Sequence, residues 1–257
     1  MDREELLSKS VVVIGGGWSD EREISLLSGE QCALALQEAG FARVDTLDPA
    51  DDGFVSSLSS GGYDVAFVAM HGRYGEDGCI QGLLEVMRIP YTFSGVSASA
   101  AATEKEITKA IYAAAGIRAP RGIDVSAGCI LTDEQIDRVI GELGLPLFVK
   151  PAANGSSYGI TRVTERSALN GAIALAGRGG GRVLIEECVE GTEITVPVIG
   201  NDEPRALPIV EIVTGSEFYD LKVKYEPSAL HHVIPARLEP GVYAKAQDLA
   251  VRAHRAL

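Results

Sequence analysis

The apolar residues of the first hundred positions fall into short runs that alternate with amphipathic stretches. "SVVVI" at 10–14 and "YDVAFVAM" at 63–70 predict buried strands, because short apolar runs bounded by glycine are typical of strands covered on both faces. "DEREISLLSGEQCALALQEAG" and "CIQGLLEVMRI" predict helices that stop at Gly40 and before Pro90. Alternating strands and helices predict a parallel sheet, and therefore an α/β domain over residues 1–95.

The pattern changes after a long helical stretch, "SASAAATEKEITKAIYAAAG". From about residue 118 onward, helices are predicted only near 133–143 and 166–177, and from Pro240 to the last residue. Strands are predicted for the apolar runs "LPLFVKP", "GITRV", "RVLIEECV", "EITVPVIG" and "RALPIVEIV". Successive strands joined by short turns predict a largely antiparallel sheet, and therefore an α+β second region.

Composition narrows the range of partners. The chain has 257 residues, of which 46% are apolar, and a formal net charge of −13. A packed core is therefore expected, while a nucleic acid or an anionic membrane surface is not an expected partner. No apolar run is long enough for a membrane span, and no secretion signal is present. The four cysteines are dispersed without CxxC spacing, which predicts reduced, mostly buried thiols in a cytoplasmic protein.

Lys150 stands before a glycine- and serine-rich loop in "VKPAANGSSYGI", residues 149–160. Glycines let successive backbone N–H groups turn inward and form a nest for an anion. The common phosphate loop has its lysine at the end, opening a helix, whereas this loop returns into the apolar run "GITRV". The stretch predicts a β-hairpin that folds over a ligand, with an ordinary hairpin as the alternative.

Two loops in the first domain carry candidate binding residues. "GGGWSDE" at 15–21 lacks the glycine that a dinucleotide fingerprint needs at Asp20, although glycines before a helix still suit an anionic group. Glu21 lies in the first turn of the helix, where a simple capping charge is the alternative to a binding role. "MHGRYGEDGCIQG" places His71 at the carboxyl end of a strand, which is where open α/β sheets bind ligands.

Two stretches in the second region are ambiguous when taken alone. The four glutamates of "RVLIEECVEGTEITV" form either a solvated acidic rim or a hinge that contacts an adenine edge and ribose hydroxyls. In "FYDLKVKY", strand alternation puts Lys222 and Lys224 on one face and Tyr225 on the other. Exposed lysines are normally only solvated, so this stretch carries little weight without its context.

Together these strings resemble the D-alanine–D-alanine ligases of the ATP-grasp superfamily. "GGGWSDEREIS", "MHGRYGEDGCIQG", "PYTFSG", "VKPAANGSSYG", "VLIEECVEGTE" and "FYDLKVKY" occur in the family's order over roughly residues 11–240. The resemblance implies an N-terminal α/β substrate domain over 1–95, followed by an α+β ATP-grasp region with a largely antiparallel sheet. Within that region, 96–180 would be the lid subdomain with the phosphate hairpin, and 181–257 the start of the C-terminal subdomain.

The resemblance also implies a nucleotide site. Lys105 and Lys150 would hold the ATP phosphates, and Lys224 would lie near the transferred phosphoryl group. The resemblance further implies that the adenine is contacted by a hinge of Glu186, Glu187 and Val189. Glu193 would contact the ribose, and Ser157 in the hairpin would also bind the nucleotide.

For the amino-acid substrate, the resemblance implies that Glu21 holds the ammonium of the first D-alanine. Ser156 and Tyr225 would join Glu21 in a hydrogen-bonded set that seals the pocket, and His71 would lie beside the first D-alanine.

The implied reaction joins two D-alanines through an acyl phosphate, for peptidoglycan precursor synthesis in a cytoplasmic homodimer. A D-alanine–D-lactate or D-alanine–D-serine ligase is one alternative, although Tyr225 argues against the lactate enzyme. A catalytically inactive ATP-grasp protein that binds nucleotide or amino acid is the other.

The resemblance implies two Mg²⁺ ions whose Asp, Glu and Asn ligands follow the last helix. We expect the 257 residues to contain the C-terminal subdomain incompletely and to hold none of these ligands. Whether they are active alone stays open.

Overall fold

A computed structural model describes residues 2–153, 159–214 and 230–257. The backbone separates into two compact units, the first ending at Thr103 and the second beginning at Glu104. The helices are α1 (Arg3–Leu7), α2 (Arg22–Ala39), α3 (Phe54–Ser60), α4 (Cys79–Met87), α5 (Val96–Thr103), α6 (Lys105–Ala114), α7 (Asp133–Leu143), α8 (Leu169–Ala176) and α9 (Pro240–Ala256). The strands are β1 (Ser10–Ile14), β2 (Arg43–Leu47), β3 (Val65–Val68), β4 (Gly122–Ser126), β5 (Leu147–Pro151), β6 (Thr161–Val163), β7 (Arg182–Glu187), β8 (Ile194–Thr195), β9 (Val198–Ile199), β10 (Arg205–Ala206), β11 (Val210–Thr214) and β12 (Leu230–Val233).

The first unit contains a parallel sheet in the order β2-β1-β3, which confirms the predicted α/β class. β1 is buried on both faces because successive side chains point to opposite sides of the sheet. Val13 packs with Ala33 of α2 on one side, while Val12 and Ile14 pack with α3 and α4 on the other. A strand covered on both faces must be apolar throughout, which is the pattern that "SVVVI" shows.

Helix ends in the first unit follow local chemistry. Gly40 ends α2 in a left-handed conformation with φ 96°, as predicted. α4 ends earlier than the predicted stop before Pro90, because Arg88 already adopts φ 57°. The helical stretch predicted over 97–116 consists of two helices, α5 and α6, separated by Glu104 in an extended conformation.

The second unit contains an antiparallel sheet in the order β4-β7-β5-β6. Helices α7 and α8 cover one face, where their apolar residues pack against Leu147, Val149 and Ile185. Alternation puts Lys150 and Glu186 on the opposite face. β5 and β6 form the predicted hairpin, and its tip at 154–158 lies outside the described residues.

The remaining strands form smaller elements. β11 pairs with β8 and β12, and β9 pairs with β10, all antiparallel, so two of the predicted long strands are each divided into two short ones. Helix α9 contacts this region: the Ile209 N–H donates to the Tyr243 hydroxyl at 2.9 Å, and Gln247 Nε2 donates to the Leu207 carbonyl at 3.1 Å. The predicted domain boundaries near residues 95 and 180 stay predictions.

All four cysteines are free, but Cys79 is exposed and the other three are only partly buried, so the expectation of mostly buried thiols is wrong. Within the described ranges, no helix combines the length and the apolar character that crossing a membrane requires.

Candidate functional site

In the first unit, two loops meet at one edge of the sheet because β1 and β3 are parallel neighbours. Ser25, which is fully buried, connects them. Its Oγ accepts a hydrogen bond from the Gly16 N–H at 2.8 Å and donates to the Ala69 carbonyl at 3.0 Å. The glycine loop after β1 is therefore tied to the end of β3.

Asp48 fixes the same glycine loop from the end of β2. Its Oδ1 accepts from the Gly17 N–H at 2.8 Å, and its Oδ2 lies 2.7 Å from Arg22 Nη2. Burial alone would raise the pKa of Asp48, but hydrogen bonds from Arg22, Gly17 and Ala50 outweigh it and lower the pKa. Because the N–H groups of Gly16 and Gly17 both donate within the protein, the expected anion site at these glycines is wrong.

Glu21 stands at the start of α2, yet its side chain makes no capping hydrogen bond. The residue is only 8% exposed, and within the described part of the chain no hydrogen bond reaches its carboxylate. Gly72 makes room for it: a Cβ there would lie 2.8 Å from Glu21 Oε2, and φ is +68°. Burying a charge is costly unless it is paired, and none of the described residues donates to this carboxylate, so cation binding stays the prediction for Glu21 in place of helix capping.

His71 lies in the same part of the first unit, after β3. Its Nε2 is 3.0 Å from Ser28 Oγ, and its Nδ1 is 3.7 Å from Glu76 Oε1. The interaction with Glu76 raises the pKa of His71 against the effect of burial, and the charge of Glu21 raises it further. The sequence analysis singled out neither Ser28 nor Glu76. Ser28 follows Glu21 by two helical turns, which is a spacing that could have indicated a shared face.

In the second unit, Glu186 is the centre of a charged cluster on the face of the β4-β7-β5-β6 sheet opposite α7 and α8. The residue is only 5% exposed. Its Oε1 accepts from Lys109 Nζ at 2.7 Å, and its Oε2 pairs with Lys150 Nζ. The structure thus brings together the predicted Lys150 and Glu186, and it adds Lys109, which the sequence analysis missed.

Lys105, at the start of α6, lies near this cluster. Its backbone N–H donates to the Ala152 carbonyl at 3.2 Å, and its Nζ is 3.4 Å from the same oxygen. Burial lowers the pKa of Lys105, and the nearby charge of Lys150 lowers it further, while Glu186 and Glu104 act in the opposite direction. Among the described residues, Lys105, Lys109 and Lys150 outnumber the two carboxylates that act on them, Glu186 and Glu104, so the cluster suits a polyanionic ligand.

The other two predicted hinge residues, Glu187 and Val189, follow Glu186 in the chain. Glu187 points to the other side of the strand, where its carboxylate accepts from the Arg121 N–H at 2.8 Å and from Arg121 Nε at 2.7 Å. These hydrogen bonds lower the pKa of Glu187. Val189 is 66% exposed, and Glu193 is exposed directly before β8. An exposed apolar residue after a buried strand is consistent with a surface that covers a ligand.

Several predicted residues cannot be placed. Ser156, Ser157, Lys222, Lys224 and Tyr225 lie outside the described residues. Across 2–153, 159–214 and 230–257, no group of three or more His, Cys, Asp and Glu side chains has the geometry to hold a metal ion.

Comparison with known proteins gives matches over almost the whole chain. A family model described as D-ala D-ala ligase N-terminus matches residues 46–94, and one described as D-ala D-ala ligase C-terminus matches residues 96–257. A D-alanine–D-alanine ligase of Polaromonas naphthalenivorans is 42% identical over 248 residues, which cover 96% of this chain and 75% of that protein. One of Desulforudis audaxviator is 43% identical over 250 residues, covering 97% and 80%.

Two solved structures are similar as well. A D-alanine–D-alanine ligase from Bacillus anthracis has a TM-score of 0.79 and 28% identity, with 97% of this chain and 79% of that chain covered. The VanG D-Ala:D-Ser ligase from Enterococcus faecalis has a TM-score of 0.73 and 25% identity, covering 97% and 82%. The same fold therefore occurs in ligases named for different second substrates.

Proposed function

This chain belongs to the D-alanine–D-alanine ligase family, and we propose that it joins two D-alanines to D-alanyl-D-alanine while ATP is converted to ADP and phosphate. The observation that carries the proposal is the identity of 42–43% to curated ligases over 96–97% of the chain. The curated relatives at 42–43% identity are both named D-alanine–D-alanine ligases, which favours D-alanine over D-serine as the second substrate.

For the first D-alanine, we propose that Glu21 pairs with the substrate ammonium. A buried carboxylate that accepts no hydrogen bond within the described residues supports this role, because an arriving ammonium would remove the cost of an unpaired charge. His71 would lie beside the same substrate, held by Ser28 and Glu76. The roles of Ser156 and Tyr225 in closing the pocket stay predictions.

For ATP, we propose that Lys105 and Lys150 contact the phosphates. The surplus of positive charge around Glu186 supports this assignment. Glu186, Glu187 and Val189 would form the adenine hinge, and Glu193 would contact the ribose. Because the Glu187 side chain is bound to Arg121, its contribution to the hinge would come from its backbone. Ser157 and Lys224 keep their predicted roles near the phosphates.

The reaction needs an activated carboxylate, since a carboxylate is a poor electrophile. An oxygen of the first D-alanine's carboxylate bonds to the γ-phosphorus, the bond to the β,γ-bridging oxygen breaks, and ADP leaves. The amine of the second D-alanine then attacks the acyl phosphate carbonyl, loses a proton and displaces phosphate. Phosphoryl transfer depends mainly on positioning and on neutralising charge, which is what lysines at the phosphates supply. A hairpin closing over the site would protect the acyl phosphate from water.

The family uses ATP with a divalent metal ion, and we propose Mg²⁺. The side chains of the described residues do not offer a site that fits this ion, so we derive no step through it. We further propose a cytoplasmic homodimer that acts in peptidoglycan precursor synthesis.

The test is to incubate the purified protein with ATP, MgCl₂ and D-alanine, and to detect product by mass spectrometry and phosphate release. D-alanyl-D-alanine should form, and L-alanine should give neither product nor phosphate. A preference for D-serine or D-lactate when each competes with D-alanine would contradict the assigned second substrate. Nucleotide binding without D-alanine-dependent phosphate release would instead indicate an inactive binding protein.

A further inference from the structure

Lys109 has no role in the proposed chemistry, yet it occupies a constrained position in the second unit. It lies on α6, one helical turn after Lys105, so both lysines project from the same side of the helix. Its side chain is 22% exposed, and its Nζ is 2.7 Å from Glu186 Oε1. A lysine on a surface helix normally extends into water, so this geometry calls for an explanation.

Glu186 divides its two carboxylate oxygens between two lysines. Oε1 accepts from Lys109, and Oε2 pairs with Lys150. A buried carboxylate facing Lys150 alone would be free to turn both oxygens toward that ammonium. Lys150 would then have fewer N–H groups to offer to a phosphate. Because Lys109 holds one oxygen, it limits how far Glu186 neutralises Lys150.

The strand beside the cluster leaves room for this arrangement. Gly122, the first residue of β4, lies opposite Glu186 in the sheet register. A Cβ at this position would be 2.9 Å from Lys109 Nζ and 3.0 Å from Glu186 Cγ. Gly122 has no positive φ that would require glycine, so the missing side chain matters here for space alone. The sequence thus provides a gap through which Lys109 reaches Glu186.

We propose that Lys109 is a positioning residue of the nucleotide site, which acts by holding Glu186 so that Lys150 stays available to the ATP phosphates. The inference rests on the proposed function, since it needs a nucleotide at this cluster. Two other roles make different predictions. A lysine that contacts the phosphates directly would act independently of Glu186, and a purely structural ion pair would change stability without changing nucleotide affinity.

A double-mutant cycle separates these roles. The dissociation constant of the non-hydrolysable analogue AMP-PNP is measured by calorimetry, in magnesium buffer, for wild type, Lys109→Met, Glu186→Gln and the double variant. Lys109→Met should weaken binding about fivefold or more in the wild-type background. In the Glu186→Gln background the same change should alter binding by less than about twofold. An equal loss in both backgrounds would show direct phosphate contact and overturn the proposal.

Control variants make the result specific. Lys109→Arg keeps the charge and a donor, and should bind AMP-PNP within about threefold of wild type. Lys245→Met removes an exposed lysine from α9 of the same unit and should leave affinity unchanged. Thermal denaturation accompanies each variant, and Lys109→Gln replaces the methionine variant if its Tm falls by more than about 5 °C.

The outcomes also separate this inference from the proposed function. Lys109→Met with wild-type affinity, or Lys109→Arg as weak as Lys109→Met at unchanged Tm, would overturn the positioning role while ATP binding stands. Failure of the folded wild-type protein to bind AMP-PNP would overturn the proposed function, and the inference with it.

Discussion

The two candidate binding sites, one in each unit, contain similarly buried glutamates with different described surroundings. Glu186 in the second unit is 5% exposed, and both of its oxygens are paired with lysines. Glu21 in the first unit is 8% exposed, and its carboxylate accepts no hydrogen bond from the residues that the structure describes. A buried charge costs free energy unless it is paired. As far as the described residues go, we therefore expect Glu21 to lower the free energy of unfolding of the unliganded protein more than Glu186 does.

This difference matches the charges of the proposed ligands. Lysines gathered for a polyanion repel one another before it binds, and an internal carboxylate reduces that repulsion. The Glu21 carboxylate, by contrast, accepts no hydrogen bond from the described residues, so the ammonium of a bound D-alanine would add a charge partner that those residues do not supply. We infer that, among the described residues, the proposed nucleotide site has its buried carboxylate paired before a ligand binds, while the proposed D-alanine site does not.

The largest expected effect comes from removing the Lys150 ammonium from the proposed nucleotide site. Lys150→Met should raise the dissociation constant of AMP-PNP at least about tenfold, equivalent to about 1.4 kcal/mol, because a phosphate contact is lost. Calorimetric titration measures this change, with Lys245→Met as the matched lysine control. Wild-type affinity in Lys150→Met would remove this residue from the nucleotide site.

A second expected effect concerns the framework that presents Glu21. Ser25→Ala should lower the free energy of unfolding by about 1–3 kcal/mol, because the buried Gly16 N–H and Ala69 carbonyl would both lose their partner. Urea denaturation followed by circular dichroism measures the loss. Ser59→Ala on the exposed side of α3 is the control, and it should change stability by less than about 0.5 kcal/mol. Equal stability of the two variants would mean that Ser25 does not tie the loops together.

The smallest expected effect is a pH dependence at His71. Because its pKa is raised in the folded state by Glu76, the interaction stabilises the protein fully below the ordinary pKa of 6.5 and is lost as the pH rises through the folded-state value. The contribution should be about 0.5 kcal/mol or less, since both side chains are partly exposed. Unfolding of wild type and Glu76→Gln, compared between about pH 5 and pH 9, measures it. Stability of wild type relative to the variant that grows with pH would contradict the assignment.

The parts of the fold that were predicted correctly are those with a strong local pattern. β1 is apolar at four of its five positions because both of its faces are covered. β2 was missed because it lies at the edge of the sheet and carries Arg43 and Asp45 on partly exposed positions. The break at Glu104 was missed because no glycine or proline marks it, and only the extended conformation of that residue divides α5 from α6.

The site was predictable only where the sequence itself places residues close together. Strand alternation in β7 separates Glu186 from Glu187, although the sequence alone could not say which of them faces the lysines. Lys109 was missed because its partner is 77 residues away and a helical lysine normally indicates a solvated face. Helical spacing predicts that Lys109 shares a side of α6 with Lys105, but only the folded structure shows that Lys109 lies beside Gly122 and Glu186.

The most direct test of the central claim is a crossed titration of Glu21→Gln. The charge is removed while the shape is kept, so D-alanine binding should weaken roughly tenfold as a charge-assisted hydrogen bond is lost. The affinity for AMP-PNP should stay within about twofold of wild type, and the Tm should not fall, because no described residue donates a hydrogen bond to the Glu21 carboxylate that the change would break. Unchanged D-alanine binding together with a lowered Tm would show that Glu21 serves the fold, and would contradict the account.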